Sequence, residues 1–203
     1  MNAFIDGHIW FLLTYVVTHS LIQLLISLST WRIVRRDAGW RSTELQEAPM
    51  SGLEPPITVV VPAYNEEQTI VTSVRSMLQL RYPEYEVVVV NDSSRDNTLQ
   101  VLREAFELAP FPPSYQRRLV TEKVRGIYRS PKYPGLRVID KENGGKADAI
   151  NCGINAARFP LFCCVDADSI LSRDSLLLVA QPFVEDPRTV ACGGTVRLAN
   201  GCI

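Results

Sequence analysis

Residues 57–67 read "ITVVVPAYNEE". Five β-branched residues, Ile57 to Val61, run without a break until Pro62. A strand with one wet face alternates apolar and polar side chains. A continuous run is instead the mark of a strand covered on both faces, as in a parallel sheet. The pattern recurs downstream in "YEVVVVNDSSRD" from Tyr85, "LRVIDKENGGK" from Leu136 and "FPLFCCVDADS" from Phe159. Each run stops at polar or turn-forming residues.

Helical spacing fills the gaps between these runs. Glu66–Leu80 repeats Ile70, Val74, Met77 and Leu78, with Glu66 and Glu67 at its start, where acids suit the helix macrodipole. Asp96–Leu108 puts Leu99, Leu102, Ala105 and Phe106 on one face, and Lys146–Ala157 does the same with Ala147, Ile150 and Ile154. Arg173–Val184 is a further helix, with Ser172 as its expected N-cap. "TVACGGTV" from Thr189 offers a fifth strand. The alternation predicts an α/β domain, a mainly parallel sheet with helices on both faces and right-handed crossovers. Ligands of such sheets bind beyond the carboxyl ends of the strands, so the four polar loops should meet at one crevice. Residues 109–135 interrupt the pattern with proline-rich "APFPPSYQRR" and "RSPKYPG". Arg117, Arg118, Lys123, Arg125, Arg129 and Lys132 lie around them; they suit an anionic membrane face or plain solvation, and the absence of a dense basic run favours solvated charges.

Upstream, residues 7–31, "GHIWFLLTYVVTHSLIQLLISLSTW", carry no Asp, Glu, Lys or Arg. A bilayer core needs roughly 20 apolar residues, so the stretch is long enough to cross. The start "MNAFIDGH" lacks the basic residues of a signal peptide. Arg32, Arg35, Arg36 and Arg41 follow at once, which argues against a buried soluble helix and marks the cytoplasmic side. The expectation is a membrane anchor over 1–36, its N-terminus outside and everything after Arg32 cytoplasmic, in a cell inner membrane. Polar residues 37–56, with Gly39, Gly52 and a double proline, read as a linker, and 57–203 as a soluble domain.

Composition narrows the function. Of 203 residues, 46% are hydrophobic and 21% charged, as in ordinary globular proteins. A net charge of −1 gives no electrostatic case for nucleic acid as a partner. The five cysteines form no C-x-x-C pair and only two histidines accompany them, so neither a structural zinc site nor a disulfide framework is indicated.

The strand-end loops carry the chemistry. In "PAYNEE", Tyr64 offers a flat face to a base, or packs. In "VNDSSRDNT", Asp92 follows directly on a buried strand and can accept a hydrogen bond from an imide N–H such as that of uracil; the competing reading is a local turn. Asp96 reads as a first-turn acid. In "KENGGKADAIN", Gly144 and Gly145 allow close backbone approach, and Lys146 opens a helix, a combination that suits an anion. Neither a Walker A motif nor G-x-G-x-x-G is present. In "DAD", Asp166 and Asp168 project to the same side if the extended backbone continues through Ala167. A divalent cation would reverse their mutual repulsion, and carboxylate oxygens suit Mg²⁺ or Mn²⁺, which in turn hold diphosphates.

Taken in order and spacing, "VVVPAYNEE", "VVVVNDSSRD", "NGGKADAIN" and "CVDADSIL" resemble the nucleotide-sugar half of family-2 glycosyltransferases of the GT-A fold. The nearer resemblance is to membrane-bound synthases of bacterial polysaccharides: poly-N-acetylglucosamine, hyaluronan, chitin and cellulose synthase relatives. It covers about Ile57 to about Asn200. It implies that Ala63 and Tyr64 border the base, Asp92 reads uracil, Lys146 contacts the diphosphate, Asp166 lies near ribose and metal, and Asp168 ligates the metal. The implied reaction transfers a sugar from a UDP-linked donor to a polysaccharide or lipid-linked acceptor with inversion, an aspartate acting as general base.

In the family that aspartate lies in a Thr/Ser-Glu-Asp motif downstream of D-x-D, followed by a Gln-x-x-Arg-Trp motif and further membrane helices. This chain ends at "TVRLANGCI", before any of them, so the expectation is a donor-binding half, inactive by itself, whose other half is a possible partner. Two other classes compete. A haloacid dehalogenase-type phosphotransferase would use D-x-D as nucleophile and acid, but after its first strand. A sugar-nucleotide nucleotidyltransferase would want a glycine- and arginine-bearing loop after that strand, where "PAYNEE" has no glycine. A non-catalytic, membrane-anchored nucleotide-binding module is a third.

Overall fold

The structure is a computed structural model that describes residues 2–44, 52–112 and 118–194. The chain divides into two compact units, Met1–Ala48 and Pro49–Ile203. The first holds one helix, α1 (Asn2–Glu44). Its His8–Arg32 part has a mean hydropathy of 1.8 and exposed side chains, long and apolar enough to cross a membrane. The helix runs on through 37–44, the start of the stretch read from sequence as linker. That part is charged but holds a single glycine and no proline, so nothing in it stops a helix.

The second unit is built on a six-stranded sheet in the order β3-β4-β5-β2-β1-β6. Strands β1 (Ile57–Ala63), β2 (Tyr85–Asn91), β5 (Leu136–Lys141) and β6 (Leu161–Cys164) are parallel to one another. Strands β3 (Ala109–Phe111) and β4 (Val124–Arg129) extend one edge antiparallel. Their segment is the proline-rich break, where the sequence pattern showed no strand. Both are short, and β3 is exposed throughout, so neither carries the apolar signature of the central strands. Three of the cations there are not simply solvated: Arg125 pairs with Asp140 at 3.1 Å, Arg129 lies over the Phe111 ring, and Lys132 stands 3.9 Å from Glu107. Arg117 falls outside the described residues.

Helices cover both faces. On one, α2 (Ile70–Met77), α3 (Thr98–Ala105) and α5 (Ser175–Glu185) bury Ile70, Val74, Leu102 and Leu176 against Val59, Val61, Val87 and Val89. On the other, α4 (Lys146–Ala156) packs Ala149, Cys152 and Ala156 against Val88, Val90 and Ile139. The central strands β1 and β2 are therefore buried almost throughout. Strand β6 is not. It sits at the sheet edge, spans four residues, and leaves Phe162 50% exposed. Helix α5 is not capped as expected either. Its N-cap residue is Asp174, and the Ser172 hydroxyl instead meets that of Ser175. Residues 189–194 form no strand, and the rest of the expected fifth strand lies outside the described residues.

Two local constraints fix α4, the helix that opens with Lys146. At Gly153 it approaches β1 so closely that a Cβ there would lie 2.3 Å from Val60 Cγ1. At its C-terminal end, Arg137 Nη2 donates to the Ala156 carbonyl and to Glu86 Oε2. Glu86 is fully buried and also accepts from the Thr58 hydroxyl, the Arg158 N–H and Arg158 Nε, at 2.7–2.8 Å. This cluster staples the starts of β1, β2 and β5 to the end of α4. Burial pushes the Glu86 carboxyl up, but the Arg158 N–H, Arg137 and Thr58 together outweigh it and hold it below the ordinary 4.5.

Gly153→Ala is expected to cost about 1–3 kcal/mol in equilibrium denaturation, as for other overpacked cores, with part of it recovered by adding Val60→Ala. Unchanged stability would contradict the close approach. Removing one partner of a buried ion pair costs about 3–5 kcal/mol, so Glu86→Ala should lose that much near pH 7. Because the folded carboxyl titrates below its unfolded value, its contribution is present above the ordinary glutamate range and is lost as pH falls through the folded value. The gap between wild type and Glu86→Gln should therefore narrow as pH falls from the ordinary glutamate range down through the folded value. A gap independent of pH would show that the Glu86 charge contributes nothing.

Candidate functional site

The carboxyl ends of β1, β2, β5 and β6 open on one cleft of about 510 Å³, a volume ordinary for a small-molecule site. Ala63 and Tyr64 line it after β1, Asp92 after β2, Gly145 and Lys146 after β5, and Asp166 and Asp168 after β6. All six substrate- and metal-binding candidates read from the sequence thus meet in one place. Glu66, Asn143 and Ala149 also line the cleft, though the sequence reading gave them no role there.

The first two loops are clasped to each other. Asn65 N–H donates to Ser94 Oγ at 3.0 Å, and Arg95 N–H returns a bond to Asn65 Oδ1 at 2.8 Å. Glu66 N–H donates to Thr98 Oγ1, Glu67 N–H to Asp96 Oδ2, and Asn97 N–H to Glu67 Oε2. Asp96 is therefore more than a first-turn acid. Its carboxylate takes Thr98 N–H at the start of α3 and reaches across to the β1 loop. Asn65 and Ser93 both carry left-handed backbones, with φ of 59° and 60°, which the clasp holds in place. Tyr64 is 43% exposed and Ala63 is buried beside it, so a flat face stands free at this end of the cleft.

Asp92 is 3% exposed and is held from several directions. Its oxygens accept from Lys141 Nζ at 2.6 Å, Gly144 N–H at 3.0 Å, Gly145 N–H at 2.7 Å and Asn143 Nδ2 at 3.3 Å. It locks the β2 and β5 loops together, a role that neither sequence reading of this residue contained. Lys141 and Asp148 were missed as well. The available signal was a lysine closing a strand that is otherwise buried, which requires a carboxylate partner.

Gly145 has φ +86° as the residue before α4, and Gly144 lies so close to Asp148 that a Cβ would stand 2.5 Å from its Oδ1. Gly144 is thus required by a close approach, here to Asp148, whereas Gly145 is required by its backbone angle and has open space where a Cβ would stand. Lys146, the first residue of α4, points its Nζ at Asp166 Oδ1, 2.6 Å away. Its hydrogen bond to Asp166 holds the ammonium above the usual lysine value against the small effect of burial, with Asp168 adding to the attraction.

The D-x-D segment differs in one detail from the extended geometry read from sequence. The strand ends at Cys164, and Ser169 N–H closes a turn on the Asp166 carbonyl at 3.0 Å. Burial still alternates: Val165 and Ala167 point inward, while Asp166 and Asp168 are exposed to the cleft. Among the described residues no three His, Cys, Asp or Glu side chains are placed to hold a metal. Two hard carboxylates facing a helix N-terminus and a lysine fit a divalent cation whose remaining ligands are phosphate oxygens and water, the usual arrangement for Mg²⁺.

Residues 58–199 match the family described as Glycosyl transferase family 2. The chain belongs to that family. Curated relatives include the poly-beta-1,6-N-acetyl-D-glucosamine synthases of Staphylococcus epidermidis and of Staphylococcus aureus strain COL, each 30% identical over 145 residues. That alignment takes in 71% of this chain but only 29% of either relative's length. Among solved structures, a mannosyltransferase from Pyrobaculum calidifontis, in complex with GDP-Man and Mn²⁺, superposes with a TM-score of 0.53 at 27% identity. It covers 73% of this chain and 39% of that one. Membership in this family sets aside the phosphotransferase and nucleotidyltransferase alternatives. In chain order D-x-D follows the sixth strand, far from the first-strand position that a dehalogenase-type enzyme would need.

Proposed function

We propose that the cleft is the donor site of a sugar transferase, holding a nucleoside diphosphate sugar together with Mg²⁺ or Mn²⁺. The observation that carries this reading is the meeting of a lysine-opened helix N-terminus with the paired carboxylates Asp166 and Asp168 across a single cleft. The base lies against Ala63 and Tyr64, at the end where Asp92 stands. The diphosphate lies along the Gly144–Gly145 turn, where the N-terminus of α4 favours an anion and Lys146 supplies a positive charge. Asp168 is the metal ligand and Asp166 reaches both ribose and metal. The bound cation would neutralise charge on the departing nucleoside diphosphate.

Each residue has a defined task in this account. Lys146 releases Asp166 and turns to the phosphates when the donor enters. The β1–β2 clasp holds Tyr64 and Asp92 at a fixed spacing, so the base is oriented before the sugar arrives. The sugar projects toward the exposed side of Asp168, where an acceptor hydroxyl could approach. No described residue is assigned as the general base of inverting transfer. UDP is the nucleotide proposed on the resemblance of the four motifs; the structural neighbour was solved with GDP-Man, so GDP is the competitor to test. The length and apolar surface of α1 support a membrane anchor, and the arginines that follow its apolar stretch favour a cytoplasmic second unit at the cell inner membrane; the acceptor is a growing polysaccharide or lipid-linked chain.

Calorimetric titration with UDP and with GDP, with and without Mn²⁺, tests the reading. UDP should bind in a metal-dependent manner, and Asp168→Ala should weaken it by at least about tenfold, or 1.4 kcal/mol. Equal binding with and without metal, or no binding at all, would overturn the donor site.

A further inference from the structure

Lys141 closes β5 with a fully buried side chain and does not line the cleft. Its ammonium lies between two carboxylates, 2.6 Å from Asp92 Oδ1 and 2.5 Å from Asp148 Oδ1, and donates its remaining bond to the Glu142 carbonyl. An ammonium has three protons, and all three are used. Burial works to discharge it, but the hydrogen bonds to Asp148 and Asp92 outweigh burial and hold it above the usual lysine value.

Each partner belongs to a different part of the site. Asp92 stands at the end of β2, beside the base end of the cleft. Asp148 is in the first turn of α4, beside the phosphate end, and also accepts from Glu122 N–H. A carboxylate offers about four lone-pair positions, and those of Asp92 are filled by Lys141, Gly144, Gly145 and Asn143. Of these, Lys141 supplies the only formal positive charge.

We infer that Lys141 is a positioning residue of the donor site. It touches no ligand but fixes the Asp92 carboxylate and, through it and Asp148, the Gly144–Gly145 turn, so that the base and phosphate ends are set by one buried cation. The inference rests on the donor-site reading above and adds a consequence to it. With its lone pairs filled, Asp92 takes a base N–H only by surrendering a bond, and the 3.3 Å bond from Asn143 is the longest of the four. Base recognition therefore passes through an Asp92 orientation that Lys141 sets. Without Lys141, Asp92 and Asp148 face each other uncompensated, and the turn loses its template.

The test is a double-mutant cycle on the full chain in detergent micelles, with UDP plus Mn²⁺ as the probe. Wild type, Lys141→Met, Asp92→Asn and the double variant are titrated calorimetrically, and each is checked for folding by circular dichroism. Lys141→Met should bind UDP at least about tenfold more weakly. The double variant should be no weaker than Asp92→Asn alone, because the two residues act as one. Unchanged affinity in Lys141→Met, or losses that add in the double variant, would overturn the proposal. If Lys141→Met fails to fold, amide hydrogen exchange of the wild type decides. Gly144 and Gly145 N–H should be protected, and rapid exchange at both would contradict the network. Wild-type protein that fails to bind UDP defeats the donor-site reading instead. Amide exchange compared between wild type and folded Lys141→Met then judges Lys141 separately, with deprotection of both glycines expected and unchanged protection contradicting it.

Discussion

A strand buried on both faces has nowhere to put a polar side chain except its ends. Every ionised group kept along it needs a partner, because leaving water unpaired costs more than most folds can supply. That constraint organises this domain. At the amino ends of β1, β2 and β5 it produces the Glu86 cluster, where Thr58, Arg137 and Arg158 meet one carboxylate. At the carboxyl ends it gathers Asp92, Lys141 and Asp148 below a cleft, on whose exposed rim Lys146 pairs with Asp166. The two clusters differ in use. The first is closed by its own partners, whereas the second leaves Asp166 and Asp168 open to solvent.

Helix α4 connects the two. Its C-terminal carbonyl at Ala156 is held by Arg137, its middle is drawn onto Val60 at Gly153, and its first turn is tied through Asp148 to Lys141. The helix therefore cannot tilt or slide without breaking a buried contact. Lys146 inherits that fixity at its Cα while its side chain remains exposed and free to exchange Asp166 for another anion. A rigid mount with a mobile charge is suited to a ligand that brings its own phosphate oxygens.

The parts that were legible in the sequence are those governed by local pattern. The runs at Ile57, Tyr85 and Leu136 announced central parallel strands because burial on both faces leaves a continuous apolar signature. The strand-end loops followed from topology, and Gly144, Gly145 and Lys146 from turn and helix-start chemistry. What was not legible depends on contacts distant in sequence. Strands β3 and β4 borrow their pairing from the β5 edge and have little apolar pattern of their own. The edge strand β6 looked buried because Leu161 to Val165 is all apolar, yet among the described residues no helix covers the face on which Phe162 stands exposed. Lys141 reads as a polar loop residue until Asp92, 49 positions earlier, is brought against it. The turn at Asp166–Ser169 depends on a backbone bond that a period-two reading cannot foresee.

On the proposed reading, the strand-end cleft clamps a nucleoside diphosphate through a metal held by the D-x-D pair. An experimental structure of the chain with UDP and Mn²⁺ tests it most directly. The account predicts the metal on Asp168 and the diphosphate oxygens, with Lys146 moved from Asp166 to a phosphate and the uracil against Tyr64. A nucleotide bound elsewhere on the domain, or in this cleft with Asp166 and Asp168 free of metal and the Lys146–Asp166 pair intact, would contradict it.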